Sequence, residues 1–98
     1  MKADEILTCA ADLVGGQRNE QHGEKTKNHE NIAALWNAYL GIRHEPGSPL
    51  SALDVAQMMV LLKLARTQLG KHNTDNWIDM AGYSGVAGEI AVKAALAP

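Results

Sequence analysis

The chain has no phenylalanine and one cysteine, Cys9. A single cysteine excludes an internal disulfide framework and fits a reducing compartment such as the cytoplasm. On a helix beside Ala10, Cys9 is expected to be a small buried hydrophobe. Basic charge is not in excess, with 9 Lys and Arg against 11 Asp and Glu and a net charge of −2. No basic stripe forms, so a nucleic-acid surface is not expected. No apolar run reaches the roughly 18–20 residues of a membrane span. The early acids Asp4, Glu5 and Asp12 argue against a signal peptide. Prolines occur only at positions 46, 49 and 98, which leaves long stretches free to be helical. No GxSxG, Walker or GxGxxG motif is present. His22, His29, His44 and His72 lack the spacing of a zinc site.

What the chain does contain is Ala, Leu, Val, Ile and Met, within 46% hydrophobic content. Ala, Leu and Met are among the strongest helix formers. Its 98 residues make one domain, 1–98. A chain this short buries only roughly 60–65% of its unfolded surface, so its own core is modest.

The pattern predicts an all-α fold of four helices arranged as antiparallel hairpins. The first covers about Ala3 to Val14, with Ile6, Leu7, Ala10, Leu13 and Val14 on one apolar face, and Gly15-Gly16 ends it. Gln17 to Lys27 reads as a loop. The second helix runs from about Asn28 to Leu40, and Ile32, Leu35, Trp36, Tyr39 and Leu40 repeat at the spacing of one buried face. Gly41 is expected to stop it before the Pro46-Gly47-Ser48-Pro49 turn. Ser51 and Asp54 form a near capping box for the third helix, which runs to about Leu69. Asn73 or Thr74 caps a fourth helix reaching about Leu96. Trp36, Tyr39 and Trp77 are expected in the core.

The candidate chemistry lies between Asp54 and Tyr83. The third helix is nearly all apolar but carries Lys63 and Arg66. A buried ammonium needs a partner. At 100° per residue, Ala56, Met59, Lys63 and Arg66 share a face, and Asp54 lies opposite. On the fourth helix, Asp75, Asp79, Tyr83, Val86 and Ile90 fall within one sector of about 80° and are expected to face the interior. In a hairpin, Lys63 and Arg66 meet Asp75 and Asp79. Two readings stay open. The cluster is a structural ion-pair network, or it is a polar site where Lys63 and Arg66 hold phosphate and Asp75 and Asp79 hold a hydrated Mg²⁺. Arg18, His22 and Asn28 in and after the first loop are further candidate ligand contacts, Asn28 also as an N-cap, and Tyr83 completes the ligand set. On the last helix, Ala81, Gly85, Ser84, Gly88, Ala87, Ala91 and Ala95 make small-residue stripes that another helix can approach closely. A homodimer is therefore expected.

The residues Arg18…His22-Gly23…Asn28…Ile32-Ala33…Leu35-Trp36…Tyr39-Leu40, then Asp54-Val55-Ala56…Met59…Leu62-Lys63…Ala65-Arg66…Asp75-Asn76…Asp79…Ala81-Gly82-Tyr83, resemble a family of small phage and prophage proteins of unassigned function. The resemblance spans about residues 5 to 90 and places the chain in the cytoplasm of a bacterial host cell. The acids near the start of the last helix are also similar to MazG-like all-α NTP pyrophosphohydrolases, which bind Mg²⁺ through an ExxE pair and an ExxD pair. Here Asp75-xxx-Asp79 stands for the second pair. The third helix offers Asp54, with Gln57 where another acid belongs. Lys63-xx-Arg66 followed by an acidic helix is similar to a short segment of phage nucleotide-kinase-like proteins. These likenesses imply nucleotide binding or hydrolysis with Mg²⁺. The alternative is a non-enzymatic helical protein that binds a host or phage protein, its Lys/Arg/Asp cluster being structural.

Overall fold

The computed structural model describes residues 1–15 and 24–97. Arg18 and His22 lie outside the described residues. Four helices form: α1 (Ala3–Gly15), α2 (Lys25–Ile42), α3 (Ala52–Arg66) and α4 (Thr74–Leu96), with no strand among the described residues. The chain is all-α.

The helix boundaries follow from local chemistry. At the start of α2, the Glu24 carboxylate accepts the backbone N–H groups of Thr26 and Lys27 at 2.8 and 2.7 Å. Two otherwise orphaned donors are thereby satisfied. The helix thus opens three residues before Asn28, so Asn28 is not the N-cap. It sits in the first turn with 5% exposure. Gly41 does not stop α2, which continues to Ile42 and ends when the Arg43 N–H bonds the Tyr39 carbonyl.

Both halves of the Ser51–Asp54 capping box are made at the start of α3. Its end comes earlier than Leu69. The Thr67 hydroxyl takes the Leu64 carbonyl at 2.6 Å, and Thr67 and Gln68 bond back three residues instead of four. Gly70, at φ +74°, then reverses the chain. Asn73 caps α4 by accepting the Asp75 N–H at 3.0 Å.

Helix α3 is the middle element and packs against α2 and α4. Ala56, Met58 and Ala65 of α3 are buried, with Ile32 from α2 and Ala87 from α4. The Trp36 indole N–H donates to the Met58 carbonyl at 2.8 Å, which ties α2 to α3. Trp36 and Tyr39 are half-buried, as befits amphipathic rings with a polar handle.

Three core expectations fail. No residue of α1 is buried, so Ile6, Leu7, Leu13 and Val14 all face outward and Cys9 is exposed. Trp77 is 53% exposed. The buried sector of α4 centres on Asn76 and Ala87, so Asp75 and Val86 rotate out into solvent. Met80, Tyr83 and Ala87 give this side an apolar stripe of its own, and turning it inward spares the Asp75 carboxylate a desolvation cost.

The outward face of α4 is also apolar. Trp77, Ile78, Ala81, Gly85, Gly88, Val92 and Leu96 fall within about 100° of one another at 100° per residue, and all are exposed. A Cβ at Gly82, Gly85 or Gly88 meets nothing within 4 Å. Each such glycine costs a helix about 1 kcal/mol relative to alanine. Nothing within the described chain offsets that cost.

The cap at α3 is directly testable. Ser51→Ala removes the hydroxyl that completes the box, and should cost ~1 kcal/mol. Thermal unfolding followed by circular dichroism should show a Tm lower by about 4–8 °C. An unchanged Tm would show that Asp54 holds the helix start without it.

Candidate functional site

Two polar centres link the helices, one on each side of α3. The first is Asp54, which the turn between α2 and α3 brings under the end of α2. Its Oδ1 accepts the Tyr39 hydroxyl at 2.6 Å. Its Oδ2 accepts Arg43 Nη1 at 2.8 Å, the Ser51 N–H at 2.8 Å and the Ser51 hydroxyl at 3.0 Å. Arg43 also donates to the Ser48 carbonyl. The side chains of Arg43 and Asp54 are 6% and 12% exposed. A cavity of about 510 Å³ opens beside them, lined among others by Tyr39, Arg43, Ser51, Asp54 and Gln57.

These contacts shift the groups in opposite directions. The Tyr39 hydroxyl, then the Ser51 N–H, hold the Asp54 carboxyl down at about 2. Burial, then the hydrogen bond to Asp54, push the Tyr39 phenol up to about 12. Both groups are thereby locked, one ionised and one protonated, across the neutral range. A locked pair is suited to holding a fold together and ill suited to exchanging protons near neutral pH.

The second centre is the predicted one. Lys63 Nζ meets Asp79 Oδ2 at 2.9 Å, with side-chain exposures of 14% and 42%. Lys63 reaches α4 from the side of α3 away from Asp54, as the helical spacing requires. The other predicted residues differ in exposure. Arg66 and Tyr83 are half-buried, Asp75 is exposed in the first turn of α4, and Asn28 is buried in α2. Among the described residues no three His, Cys, Asp or Glu side chains come together as a metal-binding group. No helix of the described residues is long and apolar enough to cross a membrane.

Sequence reasoning missed Arg43, gave Tyr39 a core role, and gave Asp54 a capping role and, by resemblance, a place in a MazG-like acid pair. A signal was present. Arg43 and Asp54 flank a Pro46-Gly47-Ser48-Pro49 reversal, which returns the chain on itself, and Tyr39 lies one helical turn before Arg43.

The comparisons with known proteins agree on lineage. A family model described as "Domain of unknown function (DUF6378)" matches residues 5–91. The chain belongs to this family. It is 43% identical over 81 residues to the Gene 55 protein of Mycobacterium phage L5, covering 83% of this chain and 49% of that protein. It is 35% identical over 88 residues to the Gene 55 protein of Mycobacterium phage D29, covering 90% of this chain and 54% of that protein. This DUF6378 chain is thus a phage protein, as the resemblance implied, and spans about half the length of the curated relatives it matches. No solved structure matches it.

The Asp54 centre predicts an acid dependence. Its folded value of about 2 lies below the ordinary 3.8. The stabilisation it provides is therefore complete above about pH 4 and is lost as pH falls toward 2. Asp54→Asn should lower Tm at pH 7. The gap in Tm between wild type and variant should close between pH 4 and pH 2. A gap that persists at pH 2 would show that the variant acts through packing, not charge.

Proposed function

We propose that this phage protein is a non-enzymatic helical interaction protein that binds a host or phage protein, with its charged cluster serving the fold. The observation that carries this reading is an inversion of polarity. Of the charged residues expected to form a site, Lys63 turns toward Asp79 of its own chain, and Arg43, which the sequence reading passed over, is likewise committed to Asp54. The apolar face of α1 and Trp77, both expected in the core, turn outward, and the same face of α4 also exposes Ile78, Val92 and Leu96. A large exposed apolar surface on a small domain marks a place where another molecule sits.

The nucleotide reading assigns the same residues differently. Lys63 and Arg66 would hold phosphate, and Asp75 and Asp79 would hold Mg²⁺. In that case Asp79 must exchange Lys63 for the metal. Two-pair Mg²⁺ chemistry of the MazG-like kind also needs a second acid on α3, where Gln57 stands. Asp54, the acid α3 does have, is committed to Tyr39, Arg43 and Ser51.

Two measurements separate the readings. Nucleoside mono-, di- and triphosphates, each with and without Mg²⁺, should leave Tm unchanged. A ligand at 100 times its Kd adds ~2.7 kcal/mol, so a Mg²⁺-dependent rise of several degrees would overturn the proposal. In pull-downs from phage-infected host cells, a retained protein should be lost with Leu7→Glu or Leu13→Glu and kept with Lys63→Met. These two leucines are 68% and 57% exposed, so charging them leaves the fold intact.

Lys63→Ala should destabilise the fold by ~1–2 kcal/mol, between the values for exposed and buried pairs, because Asp79 regains water on its open side. A Tm unchanged by this substitution would show that the pair is ornamental to stability.

A further inference from the structure

We propose that the outward face of α4 is covered by the same face of a second copy of the chain, the two helices crossing antiparallel at Gly85. The inference rests on the interaction reading only in taking exposed apolar surface to be interface.

Area comes first. The chain presents 6923 Å² to solvent. A compact monomer of its mass presents about 5,400 Å², so the excess is about 1,500 Å². A stable dimer needs roughly 800 Å² from each partner. The excess is sufficient, and most of the exposed large hydrophobic side chains lie on α1 or the outer face of α4.

The stripe on α4 is complementary to itself. Its small residues, Ala81, Gly85 and Gly88, lie in the middle, and its large ones, Trp77, Ile78, Val92 and Leu96, lie toward the ends. Two such helices can cross closely at the centre while the large side chains pack beyond it. With Gly85 on the two-fold axis, Ile78 falls opposite Val92 of the second copy, and Ala81 lies within one residue's rise of Gly88. The open space over Gly85 and Gly88 is then filled by the partner's backbone, which explains why glycine stands there.

Charge selects the direction. Asp75 and Lys93 are both exposed and lie on the same flank of the stripe, near opposite ends of α4. An antiparallel crossing about a two-fold axis brings Asp75 of each copy beside Lys93 of the other, twice over. A parallel crossing puts the two Asp75–Lys93 flanks on opposite sides of the pair, so neither ion pair forms, and it aligns the two helix dipoles unfavourably.

The test begins with light scattering on the full chain. The expected mass is twice that of the chain. A monomer mass at every attainable concentration overturns the proposal, as does a Gly85→Leu variant that stays helical and dimeric. In a Cys9→Ser background, Gly85→Cys should cross-link to its twin under mild oxidation, because a disulfide spans Cα atoms roughly 4.4–6.8 Å apart. Glu30→Cys, on exposed α2 surface, should not. Ile78→Cys and Val92→Cys should cross-link when mixed and neither alone. Self-linking of Ile78→Cys would mean a parallel pair and would overturn the assignment. The cross-links decide the matter even if Gly85→Leu fails to fold. A monomer would leave the interaction reading standing with another occupant on α4. A Mg²⁺-dependent nucleotide shift would sink that reading and leave the dimer untouched.

Discussion

The carboxylate of Asp54 holds more of this structure than any other single group. It closes the capping box that starts α3, accepts the Tyr39 hydroxyl from α2, and pairs with Arg43 at the end of α2. One residue thus links local helix initiation to the packing of two helices. Its two oxygens are filled by donors from three segments, which is how a carboxylate is kept ionised at low exposure. Without it, Arg43 would be a buried cation with only the Ser48 carbonyl for a partner.

The second polar link, Lys63 to Asp79, performs the corresponding task between α3 and α4 on the opposite side. The core between these links is thin, and alanine supplies three of its five buried hydrophobic residues. Small side chains let helices approach but remove little apolar area from water. Ion pairs and side-chain hydrogen bonds therefore carry an unusual share of the work of fixing how α2, α3 and α4 meet. The same thinness leaves large apolar side chains on the outside, where they are available to other molecules.

Much of the local structure was legible in the chain. The four helices, the Ser51–Asp54 box and the Asn73 cap follow from propensity and capping chemistry acting within a few residues. Helical spacing also placed Lys63 and Asp54 on opposite sides of α3, and the ammonium on a nearly apolar helix implied a carboxylate partner. Boundaries that depend on competition were not legible. Glu24 outcompetes Asn28 as a cap because its longer side chain reaches two N–H groups. Thr67 ends α3 early because its hydroxyl takes a carbonyl that the helix would otherwise use.

Periodicity could say that α1 and α4 each have an apolar face, but not what covers it. An amphipathic stripe has the same spacing whether it meets its own chain or another molecule, since the pattern records only that water is excluded. On α4 both sides are largely apolar, so spacing alone does not choose which side meets α3. That is a packing decision made in three dimensions. The sequence by itself determined the helices, their caps and the need for Lys63 to find an acid, because these are short-range matters of hydrogen bonding and charge. Only the tertiary structure decided that Asp54 joins Tyr39 and Arg43, that Asp79 meets Lys63 while Asp75 is exposed, and that α1 and the glycine face of α4 look outward, because each depends on which surfaces win the small area this chain can bury.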